Sequence, residues 1–75
     1  MAKQKKIELN RLRVVLAEKN LSNKWLASEL GYTEPSVSRW VNNIVQPPLD
    51  TLYKISLLLE VELRTLIAES TLPKK

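Results

Sequence analysis

The chain lacks the side chains on which most catalytic and metal chemistry depends. Its 75 residues include no histidine and no cysteine. This removes the usual general base, the commonest metal ligand, and any disulfide or thiolate zinc site. A single glycine cannot build a glycine-rich phosphate loop, and no converging pair of acids stands out in the sequence. The composition therefore predicts a protein that is not an enzyme, with no catalytic residues, cofactor, metal or evident small-molecule ligand.

Lysine and arginine are the side chains left for charge-based recognition. Twelve of them face eight acids, a net charge of +4, and they are unevenly placed. Residues 1–25 hold seven Lys or Arg against two acids, whereas residues 26–75 hold five against six. Such a distribution fits either a solvated surface with a basic tail or a polyanion-binding protein whose N-terminal part reaches phosphates. Charge alone favours neither interpretation.

The chain has the length of one domain, and its apolar residues recur with helical spacing. Leu9, Leu12 and Leu16, with Val15 beside them, predict a first helix from about Ile7 to Lys19. Asn20 fits its end, because Asn tolerates the left-handed conformation that closes a helix. We expect a domain over residues 7–69, between a basic arm at 1–6 and a flexible tail at 70–75. No signal peptide or membrane span is evident, which favours the cytoplasm.

Two short helices should follow the first. Ser22 is a suitable N-cap for the second, which is predicted to end at Gly31. Thr33 can cap the third, since Glu34 and Pro35 suit the first turn of a helix. The side chains expected to face inward are Leu26, Ala27, Leu30, Val37 and Trp40.

The second half of the chain predicts two more helices. Asn42 to Gln46 should form a loop, and Pro47-Pro48 prevents the third helix from continuing. A fourth helix from about Leu49 to Leu58 would carry Leu49, Leu52, Ile55 and Leu59 on one side. A fifth, shorter helix would carry Leu63, Leu66 and Ile67. Because no alternating strand pattern is present, the expected fold is all-α, a compact five-helix bundle.

The segment from Asn23 to Val41 has the spacing of a helix-turn-helix. Two short helices share the tight turn Gly31-Tyr32-Thr33, in which Gly31 supplies a positive φ. Ala27 lies where the helices would cross, and a larger side chain there would push them apart. Spacing alone is equally compatible with an ordinary helical bundle that contains a glycine turn.

The pattern extends well beyond this motif. From Leu9 to Ile67 the sequence resembles the Cro and phage-repressor family of lambda-repressor-like DNA-binding domains, the Xre type. The matching features are Leu12-Arg13, Asn20-Leu21-Ser22, Leu26-Ala27, Gly31, Val37-Ser38-Arg39, Asn42, Pro47, Leu49 to Leu59, Val61, Leu63 and Leu66. The small size is also similar to that of restriction-modification controller proteins and regulators on mobile elements. The resemblance implies a bacterial or phage origin and a role as a transcriptional regulator, most simply a repressor.

Several positions depart from the family pattern. Asn23 stands where the family often has Gln, and Asn43 where it usually has Gly. The family also often pairs an Arg in helix 1 with a Glu at the end of helix 3, but these two positions are Leu16 and Val41 here. Because both are apolar, the ion pair has been replaced as a unit. Such a swap costs little, since a buried ion pair is often no more stabilising than matched hydrophobic residues.

The resemblance implies which residues would touch double-stranded DNA, with helix 3 in the major groove of a palindromic operator. Base contacts would come from Glu34, Pro35, Ser36 and Arg39. Of these, Arg39 can bond guanine bidentately; alternatively it is a surface Arg paired with Glu62 or another acid. Contacts to the DNA backbone would come from Ser22, Asn23, Lys24, Thr33, Ser38, Asn42 and Asn43. The arm residues Lys3, Lys5 and Lys6 either contact phosphates or belong to a disordered tail. Trp25, at a position usually polar, either packs over the helix 1–2 junction or stacks on a nucleobase.

A different class of function remains open, a protein-interaction module of the same fold such as an antitoxin or a bridging factor. Ile44, Val45 and Leu57 are apolar at positions expected to be exposed, so that a partner surface is plausible. With Leu63 and Ile67 they also offer more apolar surface than one small core needs. We therefore expect a two-fold symmetric homodimer.

The Leu16 and Val41 pair yields a stability prediction. Val41→Glu should lower the free energy of unfolding by about 3–5 kcal/mol, because it leaves an unpaired carboxylate in the core. Adding Leu16→Arg should recover part of the loss by restoring the opposite charge. Urea denaturation of the single and double variants measures both effects. A Val41→Glu protein as stable as the wild type would contradict the prediction.

Overall fold

The computed structural model describes residues 8–69, and this range is helical. It contains four α-helices: α1 (Leu12–Glu18), α2 (Asn23–Leu30), α3 (Glu34–Val41) and α4 (Leu49–Leu59). A 3₁₀ turn over Leu63–Leu66 follows. Within the described range no sheet forms, and an isolated antiparallel bridge joins Asn10 to Ile67. The predicted arm at 1–6 and tail at 70–75 lie outside the described residues.

One apolar core joins the four helices to the 3₁₀ turn. α2 packs against α3, α1 packs against α3, and α4 packs against the 3₁₀ turn. The buried side chains are Leu12, Val15, Leu16, Leu26, Ala27, Val37, Trp40, Val41, Leu52, Ile55, Leu59 and Leu66. Burial of each large aliphatic side chain contributes about 1.5–3 kcal/mol, which makes this cluster the main source of stability in so short a chain.

The first helix begins later than predicted, at Leu12 instead of about Ile7. Leu9 is 52% exposed, so its expected place on the buried stripe is wrong. The reason is non-local: the Arg11 amide donates to Leu66 O at 2.8 Å, and the Ala68 amide donates to Leu9 O at 2.8 Å. The backbone before α1 is thus paired with the C-terminal segment and cannot continue the helix.

The predicted fifth helix is a single 3₁₀ turn, which corrects the five-helix count to four. The bonds from Thr65 N to Glu62 O and from Ile67 N to Arg64 O span three residues. Leu66 is fully buried as expected, but Ile67 is extended and exposed. Because Leu66 O already accepts from Arg11, the helical bond pattern stops at this point.

The fourth helix runs one residue further than predicted, and its buried face differs at one position. Leu52, Ile55 and Leu59 are buried, but Leu49 is 69% exposed and does not face the core. At 100° per residue Leu49 lies about 90° from the centre of the buried face. It also occupies the first turn, beyond the reach of the core. Leu49, Tyr53 and Leu57, each four residues apart, form an exposed apolar row that we call the α4 row.

Among residues 8–69, four residues with positive φ close turns of the fold. Asn20 (φ 58°) and Gly31 (φ 76°) adopt the left-handed conformation at the two places the sequence predicted. Asn43 (φ 58°) does so after α3, where the family usually has Gly, and Glu60 (φ 57°) does so after α4. Asn substitutes well for Gly at such a position, whereas Glu gives no comparable signal in the sequence.

Gly31 provides a test of the turn between α2 and α3. A Cβ at this position would have no atom within 4 Å, so that Gly31→Ala meets no steric obstacle beyond its φ. We expect a cost of about 1–2 kcal/mol from the left-handed backbone alone. The melting temperature of Gly31→Ala should fall by about 4–8 °C for each kcal/mol lost, and that of Gly31→Asn should fall less. An unchanged melting temperature for the alanine variant would contradict this account.

Candidate nucleic-acid interface

The turn between α2 and α3 is fixed by backbone and aromatic contacts. The amides of Gly31 and Tyr32 both donate to Ala27 O, at 2.9 and 3.0 Å. The Tyr32 ring meets Trp40 edge-on, with centroids 4.9 Å apart. Its hydroxyl lies 3.4 Å from Thr51 Oγ1 on α4. Tyr32 therefore ties the turn to both α3 and α4. Sequence reasoning placed it in the turn without assigning it a role, although an aromatic residue beside a glycine turn was an available signal.

The start of α3 is capped as the sequence predicted. Thr33 Oγ1 accepts from the Ser36 amide at 3.3 Å and hydrogen-bonds the Ser36 hydroxyl oxygen at 3.0 Å. Glu34 and Pro35 occupy the first turn. The Thr33 oxygen is thus engaged in capping, and its predicted DNA contact would have to coexist with that bond.

The residues expected to meet bases differ in their exposure. Glu34, Pro35 and Arg39 are exposed, whereas Ser36 is half-buried beside Thr33. Pro35, Ser36 and Arg39 share one side of α3, because residues three and four apart lie on the same face. The alternative pairing of Arg39 with Glu62 is not seen: Glu62 Oε1 accepts from Arg64 Nε at 2.7 Å. Within residues 8–69 the Arg39 side chain is exposed and has no hydrogen bond or ion pair.

The start of α2 brings a second set of predicted residues to the surface. Ser22 Oγ accepts from the Trp25 amide at 3.0 Å, which confirms Ser22 as the N-cap. Lys24 is exposed and Asn23 is half-buried. Trp25 is half-buried against the apolar core, as the packing interpretation of this residue requires.

The end of α3 carries a polar connection to α1. The Arg13 guanidinium donates to Asn42 Oδ1. The Asn42 amide nitrogen in turn donates to Ser38 O at 2.9 Å and to Ser38 Oγ at 3.3 Å. Both ends of the Asn42 amide are therefore engaged within the protein. Arg13, which the sequence reasoning did not assign to the site, lies on α1 one turn before Leu16. Its bond to Asn42 ties α1 to the C-terminus of α3.

Asn43 faces the N-terminal segment. Its Oδ1 accepts from the Asn10 amide at 3.0 Å and from Gln46 Nε2 at 3.0 Å, and its Nδ2 donates to Asn10 O at 3.2 Å. Its predicted contact with the DNA backbone stays a prediction, and the side chain already makes three hydrogen bonds to Asn10 and Gln46. Sequence reasoning could not find Asn10, since its partners in α3 and the following loop lie 30 or more positions away.

A shallow groove joins three of the predicted phosphate-contacting residues. Ser22, Asn23 and Asn42 line it together with Arg13. Its apolar wall is formed by Leu16, Ala17, Leu21 and Val41. Leu16 and Val41 are both buried, as predicted for a replaced ion pair. The groove thus presents hydroxyl, amide and guanidinium donors beside the N-terminus of α2, a chemistry suited to phosphate.

Neither a metal-ligand cluster nor a membrane-spanning helix is found between residues 8 and 69. Between residues 8 and 69, no three His, Cys, Asp or Glu residues lie close enough to share a metal ion. Over the same residues no helix has the length and apolar character needed to span a bilayer. The arm residues Lys3, Lys5 and Lys6 lie outside the described range.

Comparison with known proteins agrees with this architecture. The sequence model of the Cro/C1-type helix-turn-helix DNA-binding domain matches residues 11–69. A crystal structure of a protein from Bacteroides fragilis, to which DNA binding is ascribed, is 52% identical with a TM-score of 0.79. That match covers 80% of this chain and 97% of the other. No curated protein sequence gives a significant match.

These observations define a helix-turn-helix domain of the DNA-binding class. The chain belongs to the Cro/C1-type helix-turn-helix family.

Proposed function

We propose that this protein is a sequence-specific, double-stranded DNA-binding regulator of transcription, most simply a repressor, that inserts α3 into the major groove. The observation that carries the proposal is the exposed face of α3. Arg39 extends from it without an internal partner in the described residues, while Val37 and Trp40 anchor the opposite face in the core. A rigid helix with an available guanidinium is the arrangement that base readout needs.

Base readout would rest chiefly on Arg39. Its guanidinium can bond O6 and N7 of guanine bidentately, with Ser36 on the same side of the helix. Glu34 can accept from the amino group of cytosine, and it also stabilises the positive end of α3. Pro35 has no side-chain donor, so its part would be apolar contact with a thymine methyl.

The position of α3 along the DNA would be set by residues at the start of α2 and at the two ends of α3. Ser22, Asn23, Lys24 and Arg13 supply donors around the groove at the start of α2. Further contacts to the DNA backbone would come from Thr33 at the start of α3 and from Ser38, Asn42 and Asn43 at its end. Phosphate contacts of this kind position a protein and carry no sequence information directly. Several of these side chains also hold one another, which orders them before DNA arrives.

A second candidate function is favoured by the apolar surface. Ile44, Val45 and the α4 row are exposed, with Leu57 at 61%. Exposed apolar residues clustered in one stretch of chain mark interaction surfaces, as in an antitoxin or bridging factor of the same fold. Salt separates the two functions, because DNA affinity falls steeply as salt rises and hydrophobic association does not.

Selection of bound duplexes from a random DNA pool tests the proposal directly. We expect one consensus with two related half-sites, which would give the ligand class and the spacing together. Recovery of unrelated sequences, or of none above background, would overturn the proposed function.

Arg39 and Lys24 should respond differently to truncation. Arg39→Ala should cost about 1–3 kcal/mol in binding to the selected operator and relax specificity at one base pair per half-site. Lys24→Ala should weaken all sequences alike and lower the salt slope by about one. Fluorescence anisotropy with operator and random duplexes, at several salt concentrations, measures both effects. Lys54→Ala, an exposed cation on α4, is the control. Equal losses on operator and random DNA for Arg39→Ala would make Arg39 a phosphate contact instead.

The apolar surface predicts a homodimer that places two half-sites about one DNA turn apart, ~34 Å. Leu57→Lys should shift the protein toward monomer, because it puts a charge into the apolar surface without touching the core. Ser28→Lys adds the same charge at an exposed position of α2 and should leave the association unchanged. Sedimentation equilibrium at tens of micromolar decides the matter. A wild-type monomer that binds one per operator would refute the dimer.

A further inference from the structure

Asn10 is a buried polar residue at the junction of three chain segments. It is 5% exposed and lies in the extended segment before α1. Its Oδ1 accepts from the Leu12 amide at 3.0 Å, which starts α1. Its Nδ2 donates to Trp40 O at 2.9 Å, near the end of α3, and to Gln46 Oε1 at 2.7 Å in the following loop.

The main chain of Asn10 reaches the same loop. Its amide donates to Asn43 Oδ1 and its carbonyl accepts from Asn43 Nδ2. Gln46 closes the ring by donating to Asn43 Oδ1. Asn10, Asn43 and Gln46 thus form one network, which we call the Asn10 network. Every buried side-chain nitrogen and oxygen in residues 8–69 has a hydrogen-bond partner.

The bonds of Asn10 exceed what the start of α1 requires. The start of α1 uses the bond to the Leu12 amide two residues on, which an aspartate would also supply and a serine would supply more weakly. The two Nδ2 bonds point away from α1, to the last turn of α3 and to the loop 42–46. This loop has an exposed apolar tip at Ile44 and Val45 and no helix to hold it. Within the described residues the loop is held by the contacts of Asn42 with Arg13 and Ser38 and by the bonds from Asn43 N to Trp40 O at 3.0 Å and from Ile44 N to Arg39 O at 2.9 Å. The Asn10 network holds Gln46 and the Asn43 side chain.

We propose that Asn10 is a positioning residue for DNA binding, one that fixes the C-terminal end of the recognition helix and the loop 42–46 in the geometry that meets the DNA backbone. The inference rests on the proposed function of α3. It adds Asn10 to the residues that act in DNA binding, although Asn10 would not touch the DNA and lies 29 positions before Arg39 in the chain. Its action passes through Trp40 O, Asn43 and Gln46, because a fully satisfied buried network admits one arrangement of its members.

Asn10→Ser separates positioning from capping. Serine can still accept from the Leu12 amide, and the main-chain bonds to Asn43 remain, but the two Nδ2 bonds are lost. Val15→Ala is the matched control, since it removes buried apolar atoms from α1 at a distance from the loop. Gln46→Ala removes the Asn10 Nδ2 bond to the loop and the Gln46 Nε2 bond to Asn43 at an exposed residue, so that one variant remains folded in any case.

The first measurement needs no DNA. Amide hydrogen exchange should accelerate about tenfold at Asn43 and Ile44 in Asn10→Ser, relative to Gly31 and Tyr32 in the same protein. Val15→Ala should accelerate exchange at all four amides by similar factors. A uniform change in Asn10→Ser would overturn the positioning role and leave Asn10 as a purely structural residue.

The second measurement is binding to the selected operator and to a random duplex, at a temperature where every variant is folded. Asn10→Ser and Gln46→Ala should weaken both duplexes about tenfold and lower the salt slope, whereas Val15→Ala should stay within about twofold of the wild type. Wild-type affinity in Asn10→Ser would overturn the inference while the proposed function stands. A wild-type protein that binds no duplex would overturn the function, and with it the role of Asn10 in DNA binding.

Discussion

The packing of α2 against α3 is the constraint on which the rest of the molecule depends. The two helices close around Leu26, Ala27, Val37 and Trp40, and the small side chain of Ala27 lets them approach. Gly31, in a conformation that side chains resist, allows the chain to reverse within three residues. Once Val37 and Trp40 are buried, the opposite face of α3 must point outward. The exposure of Arg39 is thus a consequence of core packing, and any change that opens the angle between the helices also moves Arg39.

The connection between α1 and α3 shows how one structural task can be divided between neighbouring positions. Where the family often uses a buried ion pair, this chain packs Leu16 against the same core cluster as Val41. The polar contact lies one helical turn away, from Arg13 to Asn42. This arrangement avoids the desolvation of two charges, because the guanidinium stays near solvent. It also keeps a basic group exposed at the groove beside α2.

Prediction from sequence succeeded where structure is local and failed where it is not. The caps Ser22 and Thr33, the turns at Asn20 and Gly31, and the inward faces of α2 and α3 follow from residues within one or two turns. The start of α1 and the shape of Leu63–Leu66 depend on pairing between Leu9–Arg11 and Leu66–Ala68, more than 50 residues apart. The spacing of apolar residues carries no information about such long-range pairing, and for this reason the prediction that Leu9 is buried was wrong. The DNA-contacting residues named from the sequence stay predictions. The network from Asn10 to Asn43 and Gln46 could not be predicted, because its members are brought together only by the fold.

The distribution of polar and apolar surface follows from the small size of the domain. A chain with so thin a core needs its ends tied, and the pairing of Leu9–Arg11 with Leu66–Ala68 does this with two backbone bonds. The same pairing buries Leu66 and places Asn10 under the loop 42–46. The segment that closes the domain therefore also holds the end of α3 and the loop after it. The loop that joins α3 to α4 is thus held by a residue that lies 33 positions before Asn43 and 36 before Gln46.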